Sequence, residues 1–389
     1  MHIHHLSLTN FRNYTRLELE LSPQVILLHG DNAQGKTNLL EAVYYLATSR
    51  SPQAGSDREL INWIADQEEM VPYARLAAEV TRGDRTHQVE IVLQKEPVAG
   101  AANGERARLR KQIRVNKVKR RALDLVGQIN VVLFMPQDIA LVDGSPSVRR
   151  RYLDVALCQV DAEYCRSLSR YNRVLASRNA LLRQDRRVDP DELAYWDEQL
   201  VNLGAIVMLR RRDAVTRLEQ WAASRHQQLS GAAERLRLVY QPTLALDIND
   251  DAQRLQTAYR AELTRRRRQE FERRATLVGP HRDDVDILTN EIDLKKFGSR
   301  GQKRTAVLAI KLAELDWMRE RTGGETPILL MDEMLAELDV ARRRFLLEQV
   351  VSSGVQQVII TTSDLAMFED SFLSEVRLLE ITGGRVLAP

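Results

Sequence analysis

The octapeptide "GDNAQGKT", residues 30–37, places a glycine on either side of four residues and follows the second glycine with a lysine and a hydroxyl. An apolar run, "VILLH", precedes it, and "KTNLLEAVYYLATS" follows with the 3.6-residue period of a helix. That is the strand–loop–helix setting a phosphate-binding loop requires. Gly30 and Gly35 let backbone N–H groups wrap a polyphosphate, with Asp31, Asn32, Ala33 and Gln34 forming the cradle between them. Lys36 is expected to reach the β- and γ-phosphates, Thr37 to ligate Mg2+, and Asn38 to complete the nucleotide-contacting set. Near the other end of the chain, "ILLMDE" reads as a buried strand that stops at two acids. Asp332 at the strand's end can hold the Mg2+ shell, and Glu333, one residue on, can polarise an attacking water as general base.

These two motifs define a nucleoside triphosphatase without fixing its class. The stretch "FGSRGQKR", about thirty residues before "ILLMDE", narrows it. Ser299, Arg300, Gly301 and Gln302 resemble the signature motif of ABC-type ATPases, which closes on the γ-phosphate held by a second subunit. Asp339, in "AELD", resembles the D-loop that lines the same seam. The resemblance implies two copies sandwiching two nucleotides, an ATP-dependent homodimer of two-fold symmetry.

The elements that must carry these residues are readable in outline. Strand-like runs at "HIHHLSLTNF" and "TRLELELSPQVILLHG" precede the phosphate loop, and hairpins are expected around Gly83-Asp84 and Asn116-Lys117. The glycine-rich segment 97–105 reads as a loop. Residues 147–230 are nearly continuous helix with a break at Asp189-Pro190, followed by a β-like stretch (236–248) and another helix (250–275). The αβ alternation then resumes. The expected architecture is α/β: an ABC/SMC-type ATPase head with a P-loop mixed-sheet lobe (residues 1–145 plus 276–389) and an inserted, mainly helical second lobe (146–275). The apolar positions keep no heptad register over several turns, which excludes a long coiled coil.

The chain has 389 residues and a net charge of +3. Residues 145–275 hold 25 Arg and no Lys against 18 acids, a net of +7, so the remainder carries −4. Residues 106–121 add nine basic positions in sixteen. Local basic surfaces on a near-neutral chain point to a polyanion. The DNA-contact candidates are Arg110, Lys111, Arg114, Lys117, Lys119, Arg120 and Arg121, with the Arg runs 210–212 and 265–268. Few aromatics interleave with them, which favours contact with duplex backbone over base stacking. Cys158 and Cys165 read as reduced structural thiols. Apolar runs such as "ILLM" are too short to span a membrane, and the N-terminus lacks the regions of a signal peptide, so the expected location is the cytoplasm.

The segments "LTNFRNY", "GDNAQGKTNLLEA", "MPQDIALVDGSPSVRRRYLD", "LVGPHRDD", "FGSRGQKR" and "LLMDEMLAELD" occur in order over most of the chain and together resemble the RecF family of bacterial recombination mediators. The resemblance implies an SMC-like head without a coiled-coil arm, ATP and Mg2+ as cofactors, and slow, DNA-stimulated hydrolysis. It also implies binding to duplex and gapped DNA, and work with RecR and RecO in loading RecA onto single strands. Residue by residue, it places Arg12 and Asn13 near the nucleotide's α-phosphate and base. It places Gln137 at a Q-loop that couples the lobes and approaches Mg2+. It marks His281 and Arg282 as a fingerprint without assigning them a role. Three other readings stand beside it: a transporter ATPase subunit, disfavoured because "TTSD" (361–364) lacks a switch histidine; an SMC structural protein, which needs long heptad arms; and a small-molecule P-loop kinase.

Overall fold

The computed structural model describes residues 1–97, 107–184, 189–231, 234–245, 247, 249–352 and 354–387. They form two compact units, residues 1–138 with 318–389 and residues 139–317. The first unit begins with β1 (His2–Phe11), β2 (Tyr14–Glu20), β3 (Val25–His29), α1 (Lys36–Thr48), α2 (Trp63–Glu68), β4 (Tyr73–Arg82) and β5 (Arg85–Pro97). It continues with β6 (Ala107–Val115), β7 (Val118–Arg120), α3 (Ala122–Leu125) and β8 (Val131–Phe134). The second unit contains α4 (Ala140–Asp143), α5 (Pro146–Val160), α6 (Ala162–Leu182), α7 (Pro190–Ser230), β9 (Leu236–Gln241) and α8 (Ala252–Arg273). It continues with β10 (Asp284–Thr289), β11 (Ile292–Asp293), α9 (Leu294–Phe297) and α10 (Arg300–Arg321). The chain ends in the first unit with β12 (Ile328–Asp332), α11 (Val340–Ser352), β13 (Val358–Thr362), α12 (Asp370–Glu375), β14 (Arg377–Thr382) and β15 (Arg385–Leu387).

Two six-stranded sheets build the first unit, in the orders β2-β1-β4-β5-β6-β7 and β15-β14-β3-β13-β12-β8. The first is antiparallel throughout. The second is parallel except where β15 folds back on β14. Its central strands are apolar on both faces, as strands covered from both sides must be. Leu39, Leu40, Val43 and Leu46 of α1 share one core with Leu6 and Leu8 of β1 and with Ile26 and Leu28 of β3. The helix that follows the phosphate loop is thereby anchored against both sheets. The expected hairpins are present, and the one at Asn116-Lys117 turns through two positive φ angles, 51° and 65°, as a tight two-residue turn requires. From residue 98 on, the expected loop at 97–105 lies outside the described residues.

The second unit pairs α6, α7 and α8 around Tyr171, Leu200, Met208, Leu255 and Tyr259. At its centre Arg178 is fully buried. Its guanidinium donates to Asp197 (2.7 Å), Glu270 (2.7 Å) and Thr276 (2.8 Å), which offsets the cost of burying the charge. The unit is larger than expected. Residues 276–317 cluster with the helices, not with the phosphate-loop lobe, so the expected division at 275 is corrected. The physical reason is pairing: β10 runs antiparallel to β9 from Asp284↔Gln241 to Thr289↔Leu236, and Arg149 grips Asp284 through two bonds of 2.7 and 2.8 Å.

The "GPHRDD" fingerprint is the staple of this arrangement. The Pro280 carbonyl accepts from buried Arg211, and His281 Nδ1 lies 2.7 Å from the Tyr171 hydroxyl. Arg282 turns its guanidinium to the Thr276 carbonyl at 3.3 and 3.4 Å. Asp283, with no exposed surface, accepts from the Thr243 N–H at 2.8 Å and from the Tyr240 hydroxyl. His281 and Arg282 thus acquire a role the sequence did not assign: they fix the return from α8 to β10.

Candidate nucleotide site and signature helix

The phosphate loop leaves β3 at Gly30 and enters α1 at Lys36, and both glycines are sterically required. Gly30 has φ 144°, and a Cβ there would stand 2.3 Å from the Ile381 carbonyl oxygen. Gly35 has φ 118°, and a Cβ would stand 2.6 Å from Asn13 Nδ2. The loop is held from outside. Asn13 Nδ2 donates to the Gln34 carbonyl at 2.8 Å, Asn38 Nδ2 donates to Asn13 Oδ1 at 2.8 Å, and the Tyr14 hydroxyl donates to the Gly35 carbonyl at 3.0 Å. The β14–β15 turn adds two more ties, from Gly383 N–H to the Gln34 side chain (2.7 Å) and from Gly384 N–H to its carbonyl (3.0 Å). Asn13 and Asn38 therefore act on the loop's shape. Arg12 forks onto the buried Glu41 carboxylate at 2.7 and 2.9 Å.

Lys36 is almost fully buried. Its ammonium donates to the Gly30 and Asp31 carbonyls at 2.7 and 2.9 Å and lies 3.2 Å from Glu333. Strand order brings the distant acids here: β12 is separated from β3 by β13 alone, so its C-terminal end faces the loop. Thr37 Oγ1 donates to Asp332 Oδ1 at 2.7 Å. On the intervening strand, Thr361 donates to the same oxygen at 2.9 Å and accepts from the Glu333 N–H at 2.9 Å. That bond helps hold Glu333 in the left-handed region, φ 46°, which costs a non-glycine residue about 1–2 kcal/mol. Burial pushes the Asp332 carboxyl above the usual aspartate range, partly offset by the bonds from Thr37 and Thr361. Thr361 was missed from sequence; the only available signal was a hydroxyl at the end of an apolar strand. Gln137 sits exposed in the turn after β8, the strand next to β12. Among the described residues no group of three or more His, Cys, Asp or Glu could hold a metal. Thr37 and Asp332 offer a pair of hard oxygens, the set that suits Mg2+ when phosphate oxygens and water complete its shell.

The signature residues open α10, in the second unit. Ser299 and Gln302 cap the helix reciprocally: the Gln302 N–H donates to Ser299 Oγ (3.2 Å) and the Ser299 N–H donates to Gln302 Oε1 (2.9 Å). Ser299, Arg300 and Gly301 are exposed, and a Cβ on Gly301 would meet nothing closer than Ser299 Oγ at 4.0 Å. Intrachain packing does not demand that glycine. Asp339 caps α11 through the Arg342 N–H at 2.9 Å and is exposed.

The basic candidates separate into two groups. Lys111 is not a surface cation. It donates to the Ser49 carbonyl (2.7 Å) and Asp57 (3.1 Å), lies 4.4 Å from the Tyr45 ring centre, and has its pKa lowered by burial. Arg110, Arg114 and Arg121 are committed to Glu96, Glu90 and Asp124. Lys117, Lys119 and Arg120, at the β6–β7 turn and on β7, are exposed and form no salt bridge among the described residues, though Asp124 feels the charge of Arg120. The helical runs are internally neutralised. Arg210 and Arg212 face acids, Arg211 is buried, and Arg265 to Arg268 bind Glu262, Asp197 and Glu272. Those runs drop out as a ready phosphate-binding surface.

A phosphate loop whose threonine meets an aspartate two strands away, on a chain that also carries a capped serine–glycine helix start, is the build of an SMC-type ATPase head. Residues 2–383 match the family model described as RecF/RecN/SMC N terminal domain. The DNA replication and repair protein RecF of Roseiflexus castenholzii is 44% identical, over 99% of each chain, and that of Herpetosiphon aurantiacus is 45% identical over the same shares. The solved structure of the recombination mediator protein RecF-ATPrS in the RecFOR pathway superposes with a TM-score of 0.85 at 30% identity, covering 99% of this chain and 97% of that one. An Smc head domain from Pyrococcus furiosus shares the fold at a TM-score of 0.52 and 16% identity, over 99% and 96% of the two chains. The chain belongs to the RecF family. Family membership sets aside the transporter reading. No helix among the described residues is long and apolar enough to cross a membrane.

Proposed function

We propose that this protein is an ATP-gated DNA clamp of recombinational repair, in which two copies close on two nucleotides and hydrolysis releases DNA. The observation that carries the reading is the exposed start of α10, where a glycine without a packing role leaves two helix N–H groups open to an outside anion. In this reading Ser299, Arg300, Gly301 and Gln302 receive the γ-phosphate held by the other copy, and Asp339 lines the seam. The lobes are then residues 1–138 with 318–389, which bind nucleotide, and 139–317, which carries the signature.

Bound at the loop, Mg2+ would neutralise charge on the β- and γ-phosphates. The chain supplies the remainder. Gly30 to Gly35 and the start of α1 present N–H groups, Lys36 balances phosphate charge, and Thr37 and Asp332 would hold the metal's oxygen shell, with Gln137 as a further proposed contributor. Glu333 takes the proton from the attacking water. Arg12, Asn13 and Asn38 fix the loop that meets the nucleotide. Lys117, Lys119 and Arg120 are the proposed DNA contacts. RecR and RecO as partners, loading of RecA, preference for gapped DNA and slow DNA-stimulated turnover are proposed from the family, whose relatives are named for DNA replication and repair and for the RecFOR pathway.

The experiment is light scattering with and without ATP, repeated on gapped DNA. Wild type is expected to dimerise with ATP. Lys36→Ala is expected to lose both ATP binding and the dimer. Ser299→Arg is expected to bind ATP as a monomer. Dimers that persist in Lys36→Ala, or loss of ATP binding in Ser299→Arg, would overturn the reading.

A further inference from the structure

Gln302, the last signature residue, is held by a partner no motif contains. Its Nε2 donates to Glu234 Oε1 at 2.7 Å. Glu234 lies just beyond the C-terminal end of α7 and is itself half-buried against that helix. Its carbonyl oxygen lies 3.4 Å from His226 Nδ1, and its second carboxylate oxygen lies 3.8 Å from His226 Nε2. His226 has no exposed surface. One residue before His226, and still within α7, Arg225 forks onto Asp316 of α10 at 2.7 and 2.9 Å. The end of α7 and Glu234 thus grip α10 near its start and again fourteen residues along.

The chemistry of an amide side chain gives this grip a consequence. An ionised carboxylate accepts hydrogen bonds and donates none. Glu234 can therefore face only the NH2 end of Gln302, which leaves Gln302 Oε1 to accept the Ser299 N–H. With the cap closed, Ser299 Oγ takes the Gln302 N–H, and the N–H groups of Arg300 and Gly301, which have no partner among the described residues, point out of the helix start. Without Glu234 the amide can rotate by a half-turn. It would then present NH2 to the Ser299 N–H, and the cap would open.

We propose that Glu234 is a positioning residue for the signature: it fixes the Gln302 amide and so aims the open α10 donors at an incoming triphosphate. The proposal rests on the reading that the signature acts on a second copy's nucleotide. It also makes the end of α7 the part of the helical unit that sets the signature's competence.

The test compares Glu234→Ala, Glu234→Gln and Ser299→Arg in the full chain. The readouts are binding of a fluorescent ATP analogue to monomer, the ATP-dependent dimer dissociation constant, and melting temperature. Loss of a charge-assisted bond predicts that Glu234→Ala weakens the ATP dimer by about 10-fold or more. Its monomer nucleotide affinity stays at the wild-type value. Glu234→Gln, which can still turn an amide oxygen to Gln302, is expected to restore dimerisation to within about 3-fold, since a neutral bond is weaker than a charged one. Wild-type dimerisation of Glu234→Ala alongside a monomeric Ser299→Arg overturns the positioning role. Equal loss in both Glu234 variants, with a lowered melting temperature, overturns it as well by making the residue merely structural. Normal dimerisation of Ser299→Arg instead overturns the underlying reading of the signature.

Discussion

Thr37 and Asp332 stand 295 positions apart in the chain, and Thr37 Oγ1 donates to Asp332 Oδ1 at 2.7 Å. The bond joins the first turn of α1 to the end of β12 across one intervening strand. It places a hydroxyl and a carboxylate where both can face one cation, and Thr361 braces the carboxylate from the strand between. The site is therefore assembled by sheet order, not by any local turn.

The same carboxylate is held at a cost. Burial raises its pKa, so the folded state disfavours the charged form. A folded-state pKa above the unfolded one means stability that is full at low pH and lost as pH rises through the folded value. Asp332→Asn removes this penalty while keeping an oxygen for Thr37 and Thr361. The variant is expected to melt higher than wild type at neutral pH without nucleotide. Its affinity for Mg2+ in the presence of nucleotide should fall by about 10–100-fold, as when a metal site loses a supporting carboxylate. Differential scanning fluorimetry and a metal titration read the two effects, and a lower melting temperature would show that the charge is satisfied in the fold.

Glu333 is paired with Lys36 at 3.2 Å and strained at φ 46°. Glu333→Gln keeps the shape and removes the base. Turnover should fall by about 100-fold or more, and the ATP dimer should outlive the wild-type one. Single-turnover kinetics and the lifetime of the dimer on sizing chromatography measure this. Turnover at the wild-type rate would remove the residue's role as base.

How much of this was legible beforehand depends on how local each signal was. The loop at residues 30–37, the strand "ILLMD" and the helix after Ser299 announced themselves because a short segment carries all the chemistry. Thr361, Glu41 and Glu234 did not, since each matters only through a partner brought near by tertiary pairing. The same reason explains the errors. Lys111 reads as one more cation in a basic run, yet strand alternation turns it inward onto Asp57 and Tyr45. The boundary at 275 follows the end of a helix pattern, whereas the unit runs on to residue 317 and includes β10, which pairs with β9.

The basic hairpin yields a prediction with an internal contrast. Replacing Lys117, Lys119 and Arg120 together with Ala removes up to three phosphate contacts. The slope of log affinity for duplex DNA against log salt should flatten by about 0.9 for each contact actually made. Lys111→Met removes a cation of the neighbouring strand β6 that is turned onto Asp57 and Tyr45, so its DNA affinity and salt slope should match wild type. Fluorescence anisotropy across a salt series tests both. An unchanged slope in the triple variant would move the DNA surface elsewhere.

His281 ties stability to pH. Burial lowers its pKa from an ordinary 6.5 to about 4, against a smaller opposing effect from the Thr276 carbonyl. The ring lies 2.7 Å from the Tyr171 hydroxyl at Nδ1 and 3.1 Å from that carbonyl at Nε2. The neutral tautomer with a proton on Nε2 satisfies both bonds; a second proton on Nδ1 would displace the Tyr171 donor. With the folded pKa below the unfolded one, the unfolded chain binds the extra proton more tightly. Stability from this group is complete above about pH 6.5 and is lost as pH falls toward 4, by roughly 2 kcal/mol at pH 5. Carboxylates titrate over the same range, so the comparison is with His281→Gln, which cannot protonate. Urea unfolding at pH 7 and pH 5 should show a larger drop for wild type than for the variant. Equal drops would mean that the imidazole accepts its second proton in the folded chain.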